Sequence, residues 1–357
     1  MGISFYIQTF GCQANEADSE YIAGLLLSAG LTSQDNSQKA DWVIINSCVV
    51  RQSAEDRIDG LILNLAKQKH LPKIFLTGCI HYHNRQFLEK RFPQVDYFVR
   101  IADWFSFLKE KMNLPVQANS IRKRNKQSDW ALIPIMEGCN NFCSYCLVPY
   151  ARGREVSRSQ EEVLQEVRQA IKNGYRKILL LGQNVNSYQG TAKKKILSSF
   201  KTPLAVLLER LNKLEGLKKI SFLTSNPWDF TDDIIKAMKL PKIVHQLHLP
   251  LQSGDDDILR KMNRPYTALQ YIEVIRKVRQ AVPDVEISTD IIVGFPGETK
   301  KNFQNTVKLC QRIGFSKAYV NKYSPRPKTL AGRKFIDNVA WAEKKRRWHI
   351  LNQLINQ

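Results

Sequence analysis

The stretch ALIPIMEGCNNFCSYC, residues 131–146, decides how this 357-residue chain is read. Residues 131–138 are a short apolar run of strand length, and a loop carrying Cys139, Cys143 and Cys146 follows it at gaps of three and two residues. A closed structural zinc site takes four ligands, and no further His or Cys lies in the neighbouring sequence. Four-iron clusters are held by cysteine thiolates, normally one for each iron. Three cysteines on one loop leave one metal position without a protein bond, and an open position is where a small molecule binds and reacts. Tyr145 sits inside the loop, where its ring can pack on such a ligand.

Outward to the C-terminus the chain alternates. A helix is predicted from about Ser159 to Asn173, with Val163, Leu164, Val167 and Ile171 on one face. The strand-like runs KILLLGQN, KISFLTSNP, IVHQLHLPLQSG, VEISTDIIVGFPGE and KAYVNKYSPRP then alternate with helical stretches. With residues 131–138 these make six βα-type units. They are too few for the closed eight-stranded barrel and suit an open (β/α)6 barrel with its active groups at the strand C-termini. Polar residues stand at those ends, among them Gln183, Thr224, Ser225, Gln252 and Asp290. Taken singly, each is also an ordinary polar strand terminus. His245 and His248, three apart in one strand, project to opposite faces and are read as structural. Cys310 lies in an apolar-faced helix and is read as core. Residues 337–357 read as one amphipathic helix that closes the domain, with Trp341, Trp348, Leu351 and Ile355 on its packing stripe.

Outward to the N-terminus, three strand-like runs each end in cysteine: residues 4–11 before Cys12, DWVIINS before Cys48, and KIFLTG before Cys79. Helical stretches separate them, so a parallel sheet is expected, with its functional residues at the carboxyl ends of the strands. A single buried cysteine at a strand end is usually a small hydrophobe. Three at the same structural step point to a shared metal site instead. His81 and His83 follow Cys79 closely and could compete as ligands, but are read as surface histidines of the next loop. From about Met112 the apolar pattern lapses, so residues 1–112 form one domain, 113–130 a linker, 131–335 the barrel domain and 336–357 the terminal helix.

The chain carries 54 Lys+Arg against 33 Asp+Glu, a formal +21, with basic clusters at 121–126, 192–195 and 343–347. Such an excess draws polyanions, and its local clustering favours a nucleic acid over a merely solvated surface. No run of 18 apolar residues occurs, so no membrane partner is expected. Seven cysteines, an odd number, argue against a disulfide framework. The N-terminus MGISFYIQTF enters a strand pattern without a basic n-region, so the expected location is cytoplasmic.

The pattern C-x3-C-x2-C, with an aromatic before the last cysteine, resembles the signature of the radical S-adenosylmethionine (SAM) enzymes. FGCQANEADSE, NSCVVRQSAE and TGC narrow the resemblance to their methylthiotransferases. EGCNNFCSYCLVPYARGREVSR, LLGQNVNSYQG, TSNPWDFTDDII, LHLPLQSGDDDILRKMNR and DIIVGFPGET most resemble the tRNA type, over nearly the whole chain.

The resemblance implies an α/β chain with an N-terminal parallel-sheet domain and an open (β/α)6 radical SAM partial barrel. It implies two 4Fe–4S clusters. Cys139, Cys143 and Cys146 would hold the one that binds and cleaves SAM, and Cys12, Cys48 and Cys79 the auxiliary one that carries the transferred sulfur. Two SAM per turnover would serve, one as methyl donor and one as radical source for C2 of an N6-dimethylallyl adenosine next to the tRNA anticodon. Arg264, Asp290, Gln252, Gln183, Thr224 and Ser225 would form the SAM cradle, with Tyr145 and the main chain at Ile292 and Tyr323 against its adenine. The implied partners are a tRNA anticodon stem-loop, a low-potential electron donor such as flavodoxin or ferredoxin, and a sulfur donor that is not identified. The family carries a further small β-barrel, the TRAM domain, which is expected to be missing from a chain ending at Gln357. Two rival readings keep part of this. One changes the substrate to threonylcarbamoyl-adenosine tRNA or a ribosomal-protein aspartate, and the other is a non-catalytic iron–sulfur RNA-binding protein.

Overall fold

A computed structural model describes residues 2–48, 52–68, 70–117, 122–124, 128–191 and 198–357. By its internal contacts the chain divides into two units, residues 1–128 with 150–152, and residues 129–149 with 153–357.

The first unit is built on five parallel strands in the order β2-β1-β3-β4-β5. In chain order its elements are β1 (Ser4–Thr9), α1 (Gln13–Ser28), β2 (Thr32–Ser33), β3 (Trp42–Ser47), α2 (Gln52–Leu65), β4 (Lys73–Gly78), α3 (Arg85–Arg91), β5 (Tyr97–Phe98) and α4 (Trp104–Ser106). All six residues of β3 are buried, as befits a central strand covered on both faces. The register pairs Thr9 with Asn46 and Asn46 with Thr77, so the three long strands end level and deliver their cysteines to one edge. Phe5, Trp42, Phe75 and Trp104 centre the core. The segment expected as a linker does not hang free in its described parts. Leu114 and Val116 pack on this core, and Arg122 Nη1 donates to the Ala17 carbonyl at 2.5 Å. Of the basic cluster 121–126 only residues 122–124 are described, and the cluster at 192–195 lies outside the described residues.

The second unit carries six parallel strands: β6 (Trp130–Pro134), β9 (Lys177–Leu181), β10 (Lys219–Phe222), β11 (Gln246–His248), β12 (Glu286–Val293) and β13 (Lys317–Lys322). A small antiparallel pair, β7 (Met136–Glu137) and β8 (Val156–Ser157), flanks α5 (Val148–Arg152). The helices between and after the strands are α6 (Gln160–Lys172), α7 (Pro203–Asn212), α8 (Asp232–Ala237), α9 (Asp256–Lys261), α10 (Ala268–Ala281), α11 (Lys300–Ile313), α12 (Leu330–Lys334) and α13 (Trp341–Ile355). Two ladders, β6-β9-β10 and β11-β12-β13, meet through the parallel bridge Ile220–Ile243, so the strands follow one another in chain order as in an open (β/α)6 barrel. Local chemistry sets the helix starts: Ser159 with Glu162, Thr267 with Gln270, and Thr299 with Asn302 each form a reciprocal capping box.

Helix α13 closes the unit as its spacing predicts, with one correction. Leu351 is fully buried and Trp348 donates to the Val320 carbonyl, but Trp341, the first residue of the helix, is 53% exposed, with the Lys322 ammonium 5.5 Å from its ring centroid. Cys310 is buried, and burial alone pushes its thiol up to about 12. No helix among the described residues is long and apolar enough to cross a membrane.

Candidate functional site

The three-cysteine loop is seated on the C-terminal end of α9. Ser144 N donates to the Met262 carbonyl at 2.9 Å and its Oγ to that of Lys261 at 2.7 Å. Asn263, at φ 56°, donates to the carbonyls of Asn141 and Phe142. Tyr145 packs beside Ile292 on a small cluster of Ile258, Met262, Phe295, Tyr323 and Ala331. The thiols of this loop sense one another. Burial first, and the neighbouring cysteines after it, push Cys139 up to about 11 and Cys146 up to about 12. Donors already face the sulfurs, among them Val148 N at 3.4 Å from Cys146 Sγ, Arg264 Nη1 at 3.6 Å from Cys143 Sγ, and the Asn141 backbone N–H on Cys139.

Just beyond the barrel strands stand buried polar atoms that no protein group satisfies: Gln183 Oε1, Asn184 Oδ1, Ser225 Oγ, Gln252 Oε1 and Tyr323 OH. A buried polar atom left unpaired costs about 1–3 kcal/mol, so such a row calls for a partner. Two of these strand ends also hold strained backbone, with Thr224 at φ 69° and Gln252 at φ 67°. A β-branched residue in the left-handed region persists only where its surroundings over-determine it, and such residues gather at ligand clamps. Gln252 is locked between Asp290 and Ile292, donating to the first carbonyl at 2.8 Å and accepting from the second amide at 3.0 Å. Arg264 Cζ stands over the Trp228 ring, 4.6 Å from its centroid, with Nη2 on the Pro250 carbonyl and Nη1 on Asn226 Oδ1. Its forked end is engaged by protein acceptors, and Nε is its buried unpartnered donor.

In the first unit Cys48 and Cys79 are buried and sense each other's charge, while Cys12 is exposed. Burial pushes Cys79 up to about 11 against the pull of Arg152, which belongs to this unit by its contacts. Arg152 Nη2 donates to Asp18 Oδ2 at 2.6 Å, with the two side chains only 7% and 12% exposed. His81 is not the free surface histidine expected. Its ring bonds back to the Leu76 carbonyl at 3.2 Å, and His83 stacks on Phe87 and meets Tyr82 at a tilt. Among the described residues, no three His, Cys, Asp or Glu side chains stand in closed metal-ligand geometry.

Residues 133–310 match the family described as Radical SAM superfamily, and residues 4–100 the one described as Uncharacterized protein family UPF0004. The tRNA-2-methylthio-N(6)-dimethylallyladenosine synthase of Clostridium botulinum strain Okra is 39% identical over 376 residues, which cover 99% of this chain and 81% of that one. The chain belongs to this synthase family of radical SAM methylthiotransferases. A synthase of the same name from Dehalococcoides mccartyi strain CBDB1 is 40% identical over 360 residues, covering 98% of this chain and 82% of its own. Among solved structures, the radical SAM methyltransferase TsrM from Kitasatospora setae, with cobalamin and a [4Fe-4S] cluster bound, aligns over 93% of this chain and 77% of its own. Its TM-score is 0.68 at 12% identity, a likeness of fold alone.

As a member of the synthase family the chain uses 4Fe–4S clusters and SAM, and its residues fit them. Two sets of three soft thiols are of the ligand type that holds such clusters. The unpaired carbonyl and hydroxyl oxygens at the strand ends match the amine and hydroxyl groups of SAM. Sequence reasoning did not single out two of the residues gathered here. Asn184 donates to Asp229 at 2.8 Å and keeps an unpaired oxygen, and Asn226 binds both Asn186 and Arg264. His248, read as structural, spans Ser288 and Asp290 through its two ring nitrogens at 3.0 Å each. The signal for His248 was its pairing with Ser288, which is a matter of register.

Proposed function

We propose that this chain converts N6-dimethylallyl adenosine next to the tRNA anticodon to its 2-methylthio derivative. In this reading the first unit holds the auxiliary cluster through Cys12, Cys48 and Cys79, and the second holds the SAM-binding cluster through Cys139, Cys143 and Cys146. When bound, the clusters and SAM supply the electron, the methyl group, the sulfur and the radical that the reaction needs. The protein binds, orients and shields. Gln183, Ser225 and Gln252 take the polar edge of SAM, and Thr224 and Gln252 hold the cradle in a strained, pre-set shape. Tyr145 and the backbone at Ile292 and Tyr323 form its apolar wall. Asp290, held by His248, faces the ribose, and Arg264 braces the loop from Cys143 to Asn226 and Pro250 through its forked end while Nε remains for the carboxylate. The basic surface takes phosphates of the anticodon stem-loop, and the target adenine, in a loop, is splayed out of its stack. A low-potential carrier such as flavodoxin or ferredoxin delivers the electrons.

The observation that carries this reading is the row of unpartnered buried polar atoms at consecutive strand ends beside a three-cysteine loop. Anaerobically reconstituted protein is expected to hold about eight irons and, with a reductant and SAM, to release 5′-deoxyadenosine. Mass spectrometry of nucleosides from tRNA carrying the dimethylallyl or the threonylcarbamoyl precursor then reads the substrate. Methylthio gained on the threonylcarbamoyl nucleoside alone would overturn the assignment.

A further inference from the structure

The turns that carry Cys12, Cys48 and Cys79 are tied together by a closed polar network of side chains and main chain. Asn15 and Asn46 are both fully buried. Asn15 Nδ2 donates to Asn46 Oδ1 at 3.1 Å and to the Ser47 carbonyl at 3.0 Å. Asn46 Nδ2 answers by donating to the Asn15 carbonyl at 2.8 Å and to Ser19 Oγ at 2.9 Å. Asn15 Oδ1 accepts from Cys12 N at 3.4 Å and lies 3.6 Å from Cys12 Sγ. One residue on, Ser47 Oγ donates to the Thr77 carbonyl at 2.7 Å and accepts from Ile80 N at 3.0 Å, bracketing Cys79. Trp104 holds Thr77 from behind through Nε1 at 3.0 Å.

The glycines before two of the cysteines belong to the same device. A Cβ on Gly11 would meet Asn15 Oδ1 at 2.2 Å, and one on Gly78 would meet Asn46 Oδ1 at 2.4 Å and the Ser47 carbonyl at 2.5 Å. Gly78 also stands at φ 86°, a conformation side chains avoid. Two buried carboxamides gain little net stability over apolar residues of the same size. What a fully satisfied buried network does gain is a unique geometry. Here that geometry is the spacing of three cysteine turns.

We propose that Asn46 is the positioning residue of the Cys12, Cys48 and Cys79 site: locked to Asn15 and Ser19, its carboxamide sets the Cys12 turn against the other two and keeps the three thiols able to hold a cluster. This rests on the assignment of those cysteines as cluster ligands under the proposed function. Outer partners of metal ligands typically contribute about 10–100-fold in metal affinity.

The test uses the full chain with Asn46→Ala, and with Asn46→Asp, which keeps the size and loses both N–H donors. After anaerobic reconstitution, iron is expected to fall from about eight to about four per chain, with SAM cleavage to 5′-deoxyadenosine within about twofold of the parent. In a background with Cys139, Cys143 and Cys146 all changed to Ala, the same substitutions are expected to abolish the remaining cluster's electron paramagnetic resonance signal. Iron retained at the parent level, or lost equally from both sites, overturns the proposal. Should neither variant fold, Ser19→Ala decides. It removes one outer partner of Asn46, and chelator-driven loss of iron from the auxiliary site should quicken about threefold; an unchanged rate overturns the proposal. A parent chain that holds its iron and makes no methylthio product would sink the proposed reaction and leave this inference intact, because iron is what it reads.

Discussion

Thr224 concentrates the local physics of the barrel mouth. Its φ of 69° places a β-branched side chain in the left-handed region, while its carbonyl accepts from Val185 N at 2.9 Å and fixes the loop after β9. Such strain costs of order 1–3 kcal/mol and is kept where ligand binding uses it. Replacing Thr224 with Gly is therefore expected to stabilise the metal-free chain by about 1 kcal/mol in urea unfolding. The same change should weaken SAM binding, because the clamp is no longer pre-set. A variant that is less stable than the parent would show that the conformation carries no strain. His248 teaches the complementary lesson. Its spacing from His245 correctly excludes a histidine pair, since His245 turns to Asp284. Its real partner, Asp290, is 42 residues away and comes within reach only because β11 and β12 pair in register.

At the scale of elements, α13 is held by buried charge as well as by apolar packing. Arg347 Nη1 bonds Glu298 Oε2 at 2.5 Å, and the two side chains are 5% and 1% exposed. Gly294 N also donates to that carboxylate, at 2.6 Å. Lys344 meets Asp337 and the Tyr323 carbonyl, so the helix pins the turn after β12 and the end of β13 together. Removing one partner of such a pair leaves an uncompensated charge, so Arg347→Ala should cost about 3–5 kcal/mol at pH 8. Burial already raises the Glu298 carboxyl, against the pull of Gly294 and Arg347. In the variant its folded pKa rises further above the unfolded value. The neutral form is then the one that folds well, and stability is regained as pH falls towards that unfolded value. Urea titrations at pH 8 and pH 5 check the sign: the loss must be smaller at pH 5. The strands and helices themselves were legible because their patterns are local, with capping boxes at Ser159, Thr267 and Thr299 and level strand ends at the three N-terminal cysteines. The network of Asn15 and Asn46 was not, since its members are 31 residues apart and look like ordinary turn residues.

For the molecule as a whole, the +21 charge is the largest long-range force it exerts. The proposed RNA partner should therefore bind with steep salt dependence, log affinity against log salt falling with a slope of about −4 or steeper if six or more phosphates are neutralised. Fluorescence anisotropy with an anticodon stem-loop across 50–300 mM salt, over which the Debye length falls from about 14 to about 6 Å, would read that slope. A flat response would remove the basic surface from RNA binding. Composition alone announces this property, because charge adds up regardless of fold.

The sequence by itself determined the cysteine sets, the alternation that builds a parallel sheet and an open barrel, and the basic excess, because each is written in residue type and local spacing. Tertiary structure alone decided which polar groups are left unpaired at the strand ends, and that Arg264 spends its forked end on Asn226, Pro250 and Cys143. It alone assigned Arg152, six residues beyond Cys146, to the unit that holds Cys79. The physical reason is the same in each case. Satisfaction of a buried polar group depends on partners brought in by strand register and loop closure, and those distances are not encoded in any single stretch of chain.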